Sequence, residues 1–247
     1  MMDTRRFLFL AAFLLLTASG CGSSSKKQAL ADYDRQVRSF KTIGVVTPDI
    51  LMLELSAGGV QEQIDEWRVT AVQNLSQSLH KELEARAVNF RTIAPDRDLE
   101  FEDIQYLNRA ISESLNWNTT YRKLSVCADE RICRDYSVGT VQSYLRRHNV
   151  DALLLVYGVN ELETSSRTAA RRRSRAASYW AGFVLPVTFA PLRNPGTYLS
   201  MALIDQSGSV LWYSGTATGK GYDLRNGAVV EGLTKRILSR MWIERRE

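Results

Sequence analysis

One stretch limits the architecture more than any other: Val150-Asp151-Ala152-Leu153-Leu154-Leu155-Val156-Tyr157-Gly158-Val159. After Asp151 it shows no polar alternation. A short continuous apolar run bounded by turn residues fits a strand buried on both faces, and such strands sit in sheets with helices packed on each side. This run is therefore expected at the centre of the sheet. Lys41 to Val46 reads as a β-branched strand stopped by Thr47-Pro48, with Ile50 to Leu55 as its prolongation beyond the proline. Val88 to Ile93 is a further strand candidate. Thr197 to Ile204 and Val210 to Thr216 flank Asp205-Gln206-Ser207-Gly208, a tight hairpin connection.

Helical periodicity supplies the layers. Ile64, Trp67, Ala71, Leu75, Leu79 and Leu83 recur at three- or four-residue spacing, the strongest helix signal in the chain. Phe101, Ile104, Leu107, Ile111 and Leu115 predict a second amphipathic helix. Val141, Tyr144 and Leu145 mark a short one, and Val230, Leu233, Ile237 and Met241 a closing one. The segment 28–40 fits either a short helix or an extended lead-in. The sum is an α/β (α+β) fold: a single mixed sheet of about five strands with helices packed on it. Leu154, Leu75 and Trp212 are expected in its core.

The first twenty-one residues address the chain. Arg5 and Arg6 precede an apolar run from Phe7 to Leu16, then Ala18-Ser19-Gly20-Cys21. A charged start, a short apolar region and small residues at a cleavage point are the order of a secretory signal. The run falls well short of the roughly 20 residues that cross a bilayer as a stable helix. A Cys directly after the small residues resembles the lipobox of bacterial lipoproteins. That resemblance implies diacylglycerol and palmitate-type chains on Cys21, and Gly22 at the next position implies delivery to an outer membrane. Ala18 and Gly20 also suit ordinary cleavage, which would leave a secreted protein with a free thiol. The expected organisation is signal peptide 1–20, lipidated N-terminus and flexible tether 21–31, and one α/β domain 32–247 carrying an inserted basic and apolar segment, 167–193. The net charge of +5 is a mild excess. It suits an anionic envelope surface and does not suggest nucleic acid.

The apolar strand opening with Val150-Asp151-Ala152, the hairpin Asp205-Gln206-Ser207-Gly208-Ser209-Val210-Leu211-Trp212 and the final helix together resemble envelope lipoproteins with the fold of the TolB N-terminal domain. The curli-secretion lipoprotein and the outer-membrane activators of peptidoglycan synthases share that plan. The resemblance covers about half of the domain and rests on structural motifs. It implies scaffolding, secretion or regulatory work in the envelope through protein contacts, with a homo-oligomer among the options. No pair of long alternating hairpins of the kind that builds a membrane barrel accompanies it.

Catalytic patterns are missing. The chain has no G-x-S-x-G elbow, no P-loop and no H-E-x-x-H, and its only histidines are His80 and His148. No catalytic residue, metal or cofactor is expected. Asp96, Asp98, Glu100, Glu102 and Asp103 fit a solvated helix start better than a calcium loop. Cys127 and Cys133 lie five residues apart. In an oxidising compartment their default is a local disulfide, with redox or metal use as the alternative. The favoured function is a non-enzymatic envelope lipoprotein that helps assemble, secrete or maintain an envelope complex. The alternatives are an envelope lipid- or glycan-binding module and a regulator of an envelope enzyme.

The last expectation concerns 167–193. Arg167, Arg171, Arg172, Arg173 and Arg175 precede the uncharged run Ala176 to Leu192, which holds Tyr179, Trp180 and Phe183 and is broken by Pro186 and Pro191. One reading is an apolar flap folded over the sheet. The other is an exposed contact for a membrane or a protein, with Arg171, Arg172, Arg173, Tyr179, Trp180 and Phe183 as its residues. A hairpin that inserts when copies assemble is one form of that contact.

Overall fold

The centre of the sheet is the strand anticipated from the sequence. In the computed structural model, residues 21–94, 99–118, 136–184, 195–219 and 221–241 are described, with backbone alone at 21–27 and 175–184. The chain divides into two compact units, one ending at Phe40 and one running from Lys41 to Glu247. In the first, helix α1 (Cys21–Ser39) carries the i,i+4 pairs Gln28–Asp32 at 3.0 Å and Arg38–Asp34 at 2.9 Å. It runs through the segment expected to be a flexible tether. Lys26 to Ala31 are all good helix formers, and no proline interrupts them.

The second unit is built on a seven-stranded mixed sheet: β1 (Ile43–Val46), β2 (Asp49–Leu55), β3 (Gln61–Gln63), β4 (Phe90–Ile93), β5 (Ala152–Glu163), β6 (Thr197–Ile204) and β7 (Val210–Thr218). One flank of β5 is lined by β1 and then β2, both parallel to it, and the other by antiparallel β6, which pairs with β7. β1 and β2 are one long strand interrupted at Thr47-Pro48. Val45 faces Leu154 and Asp49 faces Tyr157, so three residues, 46–48, stand opposite two, 155 and 156. Pro48 has no N–H for the ladder, and the extra residue is accommodated there as a bulge. This break and the short β3 raise the strand number above the five anticipated.

Both faces of β5 are covered. Leu153 and Leu155 join a core with Phe101, Ile104 and Leu115 of helix α3 (Leu99–Asn116) and Tyr144 and Leu145 of helix α4 (Gln142–His148). Leu154 points the other way. It continues a row across the sheet, Val45–Leu154–Leu203–Trp212, each 2% exposed or less. On that side α2 (Asp65–Ala85) packs against α6 (Gly227–Leu238), burying Leu75, Leu79, Leu83, Val230, Leu233 and Ile237. Asn226 caps α6, its side chain accepting from Ala228 N at 3.0 Å. Between α4 and β7 in the chain order lies α5 (Ser165–Val184), in the first part of the anticipated insertion. Its Ala- and Arg-rich start favours helix, and the helix ends two residues before Pro186.

The hairpin forms as anticipated. Asp205 Oδ1 accepts from Ser207 N at 2.9 Å, and Gly208 adopts φ +81°. A Cβ at Gly208 would stand 1.6 Å from the Gly139 carbonyl oxygen, so this glycine also admits the segment that docks beside the hairpin. There Val138 N donates to Gly208 O and Val210 N to Tyr136 O, each at 2.9 Å. One inward position was misjudged. Leu107 is 38% exposed and Asn108 is buried. The inward stripe runs 101, 104, 108, 111, 115, and the 3–4–3–4 spacing passes through 108.

Leu154→Asp would place an unpaired charge in the fully buried row. The variant is expected to be insoluble or to lack a cooperative thermal transition. A soluble Leu154→Asp protein that melts cooperatively would show that the sheet does not depend on this position.

Candidate functional site: a helical arm and an open helix face

β5 outruns its antiparallel partner. Asn160 still pairs with Thr197 of β6, but β5 continues to Glu163 along β2. Thr164 then turns strand into helix. Its N donates to Leu55 O at 3.1 Å, and its Oγ1 accepts from Arg167 N at 3.1 Å, satisfying an amide of the first turn of α5. With about 1.5 Å of rise per residue, α5 is an arm about 30 Å long.

The root of the arm is a buried charge cluster. Arg171 Nη2 lies 2.8 Å from Glu163 Oε2, and Arg167 Nε lies 3.6 Å from Glu163 Oε1, with all three side chains at most 7% exposed. Arg167 Nη1 also donates to Ser56 O at 3.0 Å. Glu161, on the same face of β5, accepts from Gln61 Nε2 at 3.1 Å and Gly196 N at 3.3 Å. Buried pairs of this kind return little net stability, but removing one partner costs about 3–5 kcal/mol. The cluster therefore ties the arm to the strand end.

This corrects one expected contact residue. Arg171 faces the sheet because it follows Arg167 by four residues and lies on the same side of the helix. Each further residue turns by about 100°, which puts Arg172 and Arg173 on the outside, and both are exposed. Tyr179, Trp180 and Phe183 lie on the second half of α5, and their side chains are outside the description, as is that of Cys21 at the start of α1. Cys127, Cys133, Asp96 and Asp98 fall outside the described residues.

A second surface was not read from the sequence. The outward side of α3 displays Leu99 at 77%, Tyr106 at 71% and Leu107 at 38% exposure, with Trp117 at 55% just beyond its end. Glu102 and Asp103 are exposed beside them. Asp103, Tyr106 and Leu107 line an open groove of about 470 Å³ with Val138 and Thr140. The available signal was weak: Tyr106 lies seven residues after Leu99, so the two share one side of the helix, away from the 101, 104, 108, 111, 115 stripe.

Under α3 lies a polar seam. Arg109 grips Asp49 with two nitrogens, Nη2–Oδ1 at 3.0 Å and Nε–Oδ2 at 3.1 Å, and stands over the Tyr157 ring. Tyr157 donates to Glu113 Oε1 at 2.6 Å. The Tyr198 and Tyr213 hydroxyls lie within hydrogen-bonding reach of each other and of Ser112 O, at 2.9 and 3.3 Å, and with one proton each they share two donations among the three contacts. Burial, seconded by the Glu113 hydrogen bond, raises the Tyr157 phenol above its ordinary range. Burial likewise raises Tyr198 and Tyr213, with each phenol's proximity to the other adding to Tyr198. These hydroxyls hold their protons and bind α3 to the sheet.

Both histidines and Glu100 are engaged in local contacts. His80 Nε2 meets Thr92 Oγ1 at 2.8 Å, His148 sits 4.5 Å from the Tyr144 ring, and Glu100 receives Ser143 and Arg147. Among the described residues no group of three or more His, Cys, Asp or Glu could hold a metal ion, and no helix is long and apolar enough to cross a membrane.

No family model and no curated protein matches the sequence. Among solved structures the chain is similar to the PelC dodecamer from Paraburkholderia phytofirmans in space group P6, with a TM-score of 0.32 and 14% identity over 81% of this chain and 86% of that one. It is similar also to a point-substituted PelC dodecamer of the same organism in space group C2, with a TM-score of 0.33 and 12% identity over 81% and 88% of the two chains. Both are PelC structures rather than the TolB-type proteins that the sequence resembles.

The buried phenols give a pH dependence. Unfolded tyrosines ionise near their ordinary value of 10, while Tyr157, Tyr198 and Tyr213 stay protonated in the fold. Above pH 10 the unfolded chain thus binds fewer protons, and stability falls as pH rises, by up to about 1.4 kcal/mol per pH unit for each such group. Ultraviolet titration is expected to show at least these three of the ten tyrosines ionising only as the protein unfolds. Ionisation of all ten near pH 10 in the folded protein would contradict the seam.

Proposed function

We propose that this is a lipid-anchored, non-enzymatic protein of the cell envelope that works by binding other envelope proteins. The observation that carries the reading is Cys21 directly after Ala18-Ser19-Gly20, behind Arg5, Arg6 and a short apolar run. In this reading acyl chains on Cys21 hold the protein by burial of apolar carbon, about 0.8 kcal/mol per CH₂, and Gly22 directs it to the outer membrane with the domain facing the periplasm. Cys127 and Cys133 form a local disulfide there.

The contact surfaces are the arm and the open face of α3. Exposed apolar side chains rimmed by charge are the usual dress of a binding surface. Arg172 and Arg173 on the outside of α5 favour a second use, contact with anionic lipid headgroups, in which Tyr179, Trp180 and Phe183 sit at the interface.

Mass spectrometry of protein isolated from the native envelope tests the anchor and the bridge together. The N-terminal peptide is expected to begin at Cys21 and carry acyl chains, and non-reducing maps to link Cys127 to Cys133. An unmodified N-terminal Cys21 would remove the anchor, and two free thiols would remove the bridge.

A further inference from the structure

The open face of α3 and the arm have opposite character. Four of the six exposed large hydrophobic side chains among the described residues belong to α3 or lie just past its end. Tyr106 and Leu107 have the exposed carboxylates of Glu102 and Asp103 beside them. The arm exposes Arg172 and Arg173, and Arg175 and the aromatic residues Tyr179, Trp180 and Phe183 follow in sequence. An acidic-rimmed apolar groove and a basic stretch leading into aromatic residues complement each other in charge and in apolar content.

The two surfaces sit at opposite ends of the sheet. The groove includes Val138, which is bonded to the turn between β6 and β7, beside the start of β5 where Leu153 pairs with Ile204. The arm is rooted at Glu163, the last residue of β5. Ten residues of strand separate Leu153 from Glu163, about 33 Å. Resting on the reading of the arm as a contact surface, we infer that the arm of one copy docks on the α3 groove of a second copy. Such a contact is heterologous. Each added copy presents one unused groove and one unused arm, so assembly proceeds to a closed ring or an open filament.

Sedimentation velocity on the mature chain carrying Cys21→Ser tests this, with two variants of exposed residues. The groove variant is Glu102→Lys with Asp103→Lys. The arm variant is Arg172→Ala with Arg173→Ala. The unaltered surfaces are expected to give oligomers that dissociate as salt is raised. Each variant alone is expected to sediment as a monomer with an unchanged thermal transition. An equal mixture of the two is expected to give a dimer and nothing larger, because only one intact arm and one intact groove remain per pair. A monomeric parent, either variant assembling like the parent, or a mixture that stays monomeric would overturn the inference. Flotation with phosphatidylglycerol–phosphatidylethanolamine vesicles separates this failure from that of the arm reading. Vesicle binding lost in the arm variant of a monomeric parent would leave the arm as a lipid contact and remove the second copy. An arm variant unchanged in both assays would remove both.

Discussion

The fold depends on the burial of β5 from both sides. Leu153 and Leu155 serve the α3 and α4 layer, and Leu154 serves the α2 and α6 layer. Burying one such side chain stabilises by about 1.5–3 kcal/mol, and the strand has little alternative. A register slip of one residue would exchange the two faces. The row Val45–Leu154–Leu203–Trp212 shows how the neighbours are selected: each strand contributes one large apolar residue at the same level. The bulge at Pro48 lets one long neighbour follow β5 along its whole length.

The same strand sets the arm. Because β5 passes beyond β6, its last carboxylates lie past the apolar core and under the start of α5. Glu163 is buried there by Arg167 and Arg171, which arrive on successive turns of α5. The charges at the root therefore position the arm, and those one step round the helix face outward. A run of arginines that looks uniform in sequence is divided by helix geometry into an internal tie and an external surface. The α3 face is a counterpart at the other end. The phenol seam beneath it fixes the helix, and its outer side is left apolar.

Much of this was legible from local pattern. Continuous apolarity placed β5, two segments flanking a tight turn placed β6 and β7, and three- or four-residue spacing placed α2, α3 and α6. Asp205 to Gly208 announced the hairpin through turn chemistry alone. What was not legible depended on partners far away in the chain. The sheet's order, with β1 and β2 stacked end to end along one flank of β5, has no local signature. Arg171 could not be assigned to the interior without Glu163 in place. Leu107 was read as inward because a leucine in an amphipathic helix usually is, while Asn108 takes the inward place on the stripe and Ser112 is inside where Tyr198 and Tyr213 reach its carbonyl. The positions of Cys21, Cys127 and Cys133 are readings of sequence, and their weight lies in chemistry rather than geometry.

Native-state amide hydrogen exchange tests the dependence on β5 most directly. The amides of Leu153 to Val156 are expected to be the slowest in the protein and to exchange only through global unfolding, with protection that falls with denaturant as steeply as the global transition does. Amides of α5 beyond Arg171 are expected to open at much lower free energy than those of β5. Exchange of the β5 amides ahead of those of β7 or α3, or by local opening insensitive to denaturant, would contradict the account.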